Sequence, residues 1–173
     1  MTLIAFFAIE LHPEDYLVLA ENFKADKRIK TLQQNGYAAL KALLPPKENR
    51  GLILIDPPFE ETDEFAQIVA ALTEGLKRFA HGLYAIWYPI KDKQQVNNFY
   101  NQLKTLAITK CLHVEISANE NILNQLDSCG MVIINPPWQL DIKLNENLPK
   151  LLDYLEFSQG TYKVKWLLNN DKA

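Results

Sequence analysis

The sequence predicts an α/β fold on a mostly parallel sheet with an antiparallel C-terminal edge, in one domain over residues 1–173. Short apolar runs alternate with helical patterns, and one of those runs is apolar on both faces. No linker, charge block or repeat divides the chain, apart from a duplicated Pro-Pro turn. Strands alternating with amphipathic helices make βαβ units with right-handed crossovers. A strand apolar on both faces belongs in the middle of such a sheet, covered by helices. With 173 residues, 48% hydrophobic and 23% charged, the chain can bury a sizeable core.

The elements follow from periodicity. Leu3 to Leu11 reads as a strand, and the next helix aligns Tyr16, Leu19, Ala20 and Phe23 at spacings of three and four. Arg28 to Leu32 is a weaker strand, followed by a short helix with Tyr37, Leu40 and Leu43 inward and a stop at Pro45-Pro46. Gly51 to Ile55 is the expected central strand. A helix from about Thr62 to Ala80 turns Phe65, Ile68, Val69, Leu72, Leu76 and Phe79 inward, with acidic residues at its start. Leu83 to Tyr88 is a strand, and Val96, Phe99, Tyr100 and Leu103 stripe another helix. Leu112 to Ile116 and Met131 to Ile134 read as strands around a polar loop, Asn119 to Ser128. A short helix carries Leu148, Leu151, Leu152 and Leu155, and Tyr162 to Leu168 closes the chain as a strand.

Composition excludes several classes. A net charge of −3 and a pI near 5.6 argue against a general nucleic-acid coat, which rests on phosphate neutralisation. Lys24, Lys27, Arg28 and Lys30 still form a local basic cluster, more often a solvated helix end than a phosphate contact. Cys111 and Cys129 are too few for a disulfide scaffold and have no partner at zinc-finger spacing. Leu3 to Leu11 is too short to span a bilayer and lacks a basic leader. A cytoplasmic protein without metal is expected, with no membrane partner.

Chemistry concentrates where Gly51-Leu-Ile-Leu-Ile ends in Asp56-Pro57-Pro58-Phe59. Ligands in parallel sheets bind just beyond the carboxyl ends of the strands, which is where Asp56 sits. Two prolines fix φ and hold the Pro57 carbonyl in a rigid turn. The Asp56 carboxylate and that carbonyl are paired acceptors for an exocyclic amine, and Phe59 supplies a stacking face for a planar base. An acid or amide, two prolines and an aromatic after a hydrophobic strand are typical of S-adenosylmethionine-dependent methyltransferases acting on adenine amino groups. The same form recurs in Asn135-Pro136-Pro137-Trp138, expected beside the active crevice with a role in substrate shape. Order along the chain favours Asp56. Glu10, at the end of the first strand, occupies the position of an acid that accepts from ribose hydroxyls. Asn35-Gly36 follows the second strand, where it can meet an adenine edge. Trp87 and Tyr88, at the next strand tip, are candidate walls of a base pocket, although core packing would suit Trp87 equally well. His12 before Pro13 reads as a hydrogen-bonded structural residue more readily than a base.

In this order, Glu10-Leu-His-Pro-Glu-Asp-Tyr16, Asn35-Gly36, Gly51 to Phe59, Ala85-Ile-Trp-Tyr-Pro89 and Gly130 to Trp138 resemble the bacterial 23S ribosomal RNA adenine-N(6) methyltransferase family, RlmJ, over nearly the whole chain. The resemblance implies a Rossmann-like class I methyltransferase sheet. Glu10 would bind the ribose of S-adenosylmethionine, Asn35-Gly36 would lie at its adenine with Asp56 nearby, and Asp56, Pro57, Pro58 and Phe59 would hold a target adenine of 23S rRNA. The family usually has Asp where this chain has Asn35, and commonly Tyr where it has Phe59; neither change removes the role. No glycine-rich loop precedes Leu3, so the sheet is expected to lack its first strand and the chain to correspond to the C-terminal portion of a family member. The facing edges of the strands ending at Glu10 and Asp56 would then lack a partner. Two other functions remain open: a DNA adenine methyltransferase, since the turn recognises an amine and does not report a 2′-hydroxyl, and an inactive fragment or binding module.

Overall fold

The computed structural model describes residues 5–118 and 126–170. Strand β1, Phe6–Glu10, pairs in parallel with β2, Ile29–Gln33, so that Glu10 lies opposite Gln33. Helix α1, Pro13–Phe23, crosses between them, with Pro13 at its start and Glu14 and Asp15 in its first turn. Its expected inward face is only half-buried at Tyr16, Leu19 and Ala20. Helix α2, Gly36–Leu43, follows β2 and buries Ala39 and Leu40.

A second, five-stranded sheet has the order β3-β4-β6-β5-β7. Strands β3, Leu52–Ile55, and β4, Leu83–Pro89, pair in parallel across the crossover helix α3, Glu64–Arg78. Helix α4, Lys93–Leu103, leads to β5, Lys110–Ser117; β6 is Ser128–Ile134, and helix α5, Leu140–Tyr154, precedes β7, Thr161–Asn169. Strand β6 runs antiparallel to both β4 and β5, and β7 antiparallel to β5. The expected polar loop, Asn119 to Ser128, lies mostly outside the described residues.

Helix periodicity built the core as expected. Ile68 and Leu72 of α3, and Val96, Phe99, Tyr100 and Leu103 of α4, pack with Tyr84, Ile86, Val132 and Ile134 on one face of the sheet. On the other face Leu148 of α5 packs with Leu112, Val114 and Ile133. Helix α5 is longer than its four leucines suggested, with Pro149 inside it. The indole of Trp166 anchors its start by donating to Asp141 at 3.0 Å.

Two expectations about the sheet are corrected. Antiparallel pairing is not confined to an edge: among the described residues it makes three of the five strand pairings, because β6 is inserted between β4 and β5. Strand β3, expected to be central, is an edge strand among the described residues of this chain. It pairs only with β4 among the described residues, and Leu52 and Leu54 on one of its faces are 67% and 63% exposed. Strand β1 likewise pairs only with β2 among those residues.

Candidate active site

Strand β3 delivers Asp56 to solvent at its carboxyl end, and the two prolines after it carry the chain toward α3. Among the described residues no side chain or backbone donor bonds the Asp56 carboxylate, so both of its oxygens face outward as acceptors. Phe59 ends the turn with φ 54°, a left-handed conformation that is costly for a bulky residue. Its ring packing compensates. Phe65 stands edge-on at 5.1 Å and Trp87 at 6.1 Å between ring centroids. Trp87 lies one residue beyond Ile86, which pairs with Ile55, so register places it beside Asp56.

Trp87 is half-buried and joins Phe59 as an accessible aromatic wall. Tyr88 does not. Its neighbouring position turns it to the opposite face, where it is fully buried against Phe65 and Phe99. The Tyr88 hydroxyl meets that of Tyr100 at 2.5 Å, and Tyr100 donates to Glu115 at 2.6 Å. Tyr88 supports the wall from behind and cannot touch a base as expected. Burial pushes its hydroxyl above the ordinary tyrosine range. Glu115 goes the other way: His113, Tyr100 and Lys163 hold its carboxyl at about 2. Buried His113 meets the Tyr100 hydroxyl at 3.0 Å through Nδ1. Burial raises the Cys111 thiol to about 12, which leaves it an inert core group.

At the other corner, the Glu10 carboxylate accepts from the backbone N–H of His12 at 2.8 Å, which turns it across the tip of β1. The Glu10 carbonyl accepts from Gln34 N–H at 3.0 Å, so Glu10 and the Asn35 turn share one edge. Asn35 caps α2: its Oδ1 accepts from the N–H groups of Tyr37 at 2.9 Å and Ala38 at 3.1 Å. Among the described residues its amide hydrogens meet no acceptor. Beside it, a Cβ placed on Gly36 would meet no protein atom within 4 Å, which leaves room for a flat ring against the backbone. Together they place a carboxylate, an amide and an open stretch of backbone along one edge.

The two corners are joined by a contact that sequence patterns did not suggest. The Tyr37 hydroxyl donates to Glu64, the first residue of α3. Glu64 is only 5% exposed. Desolvation of the Tyr37 hydroxyl itself, and then its hydrogen bond to this carboxylate, raise it above its ordinary range. Tyr37 had read as an inward apolar face and Glu64 as an ordinary acid in a first turn; each pattern is common, so neither signalled the pair.

The second Pro-Pro turn lies elsewhere. Because β6 is antiparallel to β4, Asn135 follows the residue opposite Tyr84, at the beginning of β4 rather than its end. Its amide donates to the carbonyls of Ala80 at 2.9 Å and Gly82 at 2.8 Å. The expected place beside the active crevice is therefore wrong. In the basic cluster, Lys24 pairs with Glu21 and Arg28 with Asp26, while Lys30 lies 5.8 Å from the Phe7 ring centre. Among the described residues no group of three or more His, Cys, Asp or Glu could hold a metal, and no helix is long and apolar enough to cross a membrane.

Five helices, a five-stranded mixed sheet and an acid-proline-proline-aromatic turn at the tip of a parallel strand are consistent with a methyltransferase fold. The chain belongs to the family described as ribosomal RNA large subunit methyltransferase D, RlmJ, whose model matches residues 5–168. It is 43% identical over 160 residues to ribosomal RNA large subunit methyltransferase J of Haemophilus influenzae, covering 91% of this chain and 57% of that protein. The protein of the same name from Escherichia coli is 39% identical over 161 residues, covering 92% of this chain and 58% of that protein. This chain thus spans less than two thirds of the relatives' length. A crystal structure of a Legionella pneumophila protein superposes with a TM-score of 0.85 at 31% identity, covering 93% of this chain and 60% of that one.

Proposed function

We propose that the complete protein transfers a methyl group from S-adenosylmethionine to the exocyclic amine of an adenine in 23S rRNA. The observation that carries this reading is the Asp56-Pro-Pro-Phe59 turn: an acid with no donor among the described residues, placed beside an aromatic wall in a chain of this family. Bound S-adenosylmethionine would supply an electrophilic methyl group. Asp56 and the Pro57 carbonyl accept from the adenine amine, orient its lone pair and stabilise positive charge that develops on nitrogen. The proton can leave during or after attack, so no early base is required. Phe59 and Trp87 hold the ring plane, Glu10 accepts from ribose hydroxyls, and Asn35 with Gly36 borders the cofactor's adenine.

Nothing among these residues cradles the methionine half of the cofactor. We therefore propose that a further strand followed by a glycine-rich loop completes the site beside the edges of β1 and β3 that have no strand partner among the described residues. This supports the second reading, that the 173-residue chain by itself is inactive.

Parallel assays of the complete protein on protein-free 23S RNA and on duplex DNA test the substrate, with transfer expected to RNA only. Transfer to DNA alone would overturn the ribosomal reading. Calorimetry with S-adenosylmethionine should show little binding to the isolated chain, and robust methylation by that chain would refute the need for a further cradle.

A further inference from the structure

Next to the Asp56–Phe59 turn, between the start of α3 and the loop from β4 to α4, lies a cavity of about 190 Å³. Phe59 and Phe65 give it two aromatic surfaces, and its polar lining is dominated by carboxylates, including Glu60, Glu61 and Glu64, with Lys91 as the cationic member. Asp56 is not part of the lining, so whatever enters sits beside the target amine and not on it. We propose that this cavity is a nucleobase subsite for a residue neighbouring the target, and that Glu64 selects guanine there. The inference rests on the RNA-methylation reading and names what that site recognises around its target.

The ligand class follows from the walls. Carboxylates repel a phosphate, whereas two phenyl rings accept a planar base. Glu64 is buried and immobilised because its Oε1 accepts from the Tyr37 hydroxyl; among the described residues no donor meets its Oε2. A carboxylate offers acceptors only. Guanine presents two adjacent donors, N1–H and the 2-amino group, on one edge. Adenine and cytosine each place a ring acceptor beside their amine, and uracil flanks its N–H with two carbonyls. Guanine is the base whose edge a fixed carboxylate can meet without facing an acceptor. Sequence specificity read this way uses a buried group whose partner, if missing, goes unreplaced, and such sites discriminate strongly.

The test is an NMR titration of the 173-residue chain with guanosine, inosine and adenosine, following the ring signals of Phe59 and Phe65 and the amide signal of Gly36. Guanosine should shift the two rings and bind about tenfold more tightly than adenosine, from the lost bonds to a charged acceptor. Inosine, without the 2-amino group, should fall between them. In Glu64→Gln the amide oxygen can still accept from Tyr37 but its nitrogen offers a donor, and the guanosine preference should disappear. Equal ring shifts by guanosine and adenosine, guanosine shifts confined to Gly36, or an undiminished preference in Glu64→Gln would each overturn the subsite. The nucleoside series on the unmodified chain does not depend on how the variant folds. Guanosine binding without rRNA methylation by the complete protein would sustain the subsite and refute the methylation reading; methylation without guanosine binding would do the reverse.

Discussion

Two turns of nearly the same sequence, Asp56-Pro57-Pro58-Phe59 and Asn135-Pro136-Pro137-Trp138, stand at opposite ends of one sheet. At the first, the acid has no protein donor among the described residues and the aromatic ring is held between Phe65 and Trp87. At the second, the amide is committed to the carbonyls of Ala80 and Gly82, and Trp138 is 84% exposed. Both contain a residue in the left-handed region, Phe59 and Asn135. Asn adopts that conformation readily, whereas Phe requires its ring contacts to hold it there. One turn keeps its polar group for a ligand, and the other uses it to tie β6 to the start of β4. A local motif supplies the groups, but chain direction decides what they face.

The sharpest way to break this comparison is to remove the polar group from each turn in the complete protein. Asp56→Ala should lower methyl transfer by orders of magnitude while leaving cofactor affinity within about tenfold, or about 1.4 kcal/mol. Asn135→Ala should leave transfer near normal per folded molecule and cost about 2 kcal/mol of stability, from lost hydrogen bonds and a less tolerant left-handed backbone. Single-turnover rates and urea denaturation separate the two effects. Equal loss of transfer in both variants would mean that the second turn also serves the reaction.

Glu10→Ala should act on the cofactor side of the Asp56 site. Losing a charged acceptor for ribose hydroxyls should weaken S-adenosylmethionine by about 1.5–3 kcal/mol in the complete protein. Calorimetry measures this directly, and an unchanged dissociation constant would remove Glu10 from the cofactor's contacts. Part of any stability change would come from the His12 N–H that loses its acceptor.

Much of this contrast was legible before the fold was known, and what was hidden was non-local. Periodicity placed Val96, Phe99, Tyr100 and Leu103 on one buried helix face, and the hydrophobic run ending at Asp56 put that acid at a strand tip. The sense of β6 depends on the strand that accepts it, which no window of residues around Met131 to Ile134 records. Period two also says that Trp87 and Tyr88 face opposite sides of β4. It does not say which side α4 covers, so the buried member of the pair emerged only from packing. The Tyr37–Glu64 contact, 27 residues apart in sequence, is hidden for the same reason.

The aromatic members of the turns should differ as their polar members do. Phe59→Ala should cost about 1–3 kcal/mol in RNA binding or transfer through lost base stacking, while Phe59→Tyr should keep most activity because the ring face remains. Trp138→Ala should change stability by less than about 0.5 kcal/mol, as expected for an exposed side chain. Equal harm from both Phe59 substitutions, seen in steady-state rates, would favour tight ring packing over stacking.

The smallest effect concerns the support beneath the Phe59 wall and is read through pH. Phe65 backs Phe59, Tyr88 backs Phe65, and Tyr88 is linked through Tyr100 to Glu115. Glu115 has its carboxyl depressed from 4.5 to about 2 in the folded protein, first by His113 and then by Tyr100 and Lys163 against the opposing cost of burial. A depressed folded value means that the unfolded chain takes up the proton first as pH falls. The stabilisation is therefore complete above pH 4.5 and is lost progressively as pH drops through about 2. Urea midpoints should decline across that window, and Glu115→Gln, which cannot titrate, should start lower and decline less. The Asn135 turn contains no such group, so Phe59 ring signals should broaden in acid before those of Trp138 change. Identical acid profiles for the wild type and Glu115→Gln would show that other carboxylates govern the loss, and that the wall under Phe59 does not depend on this network.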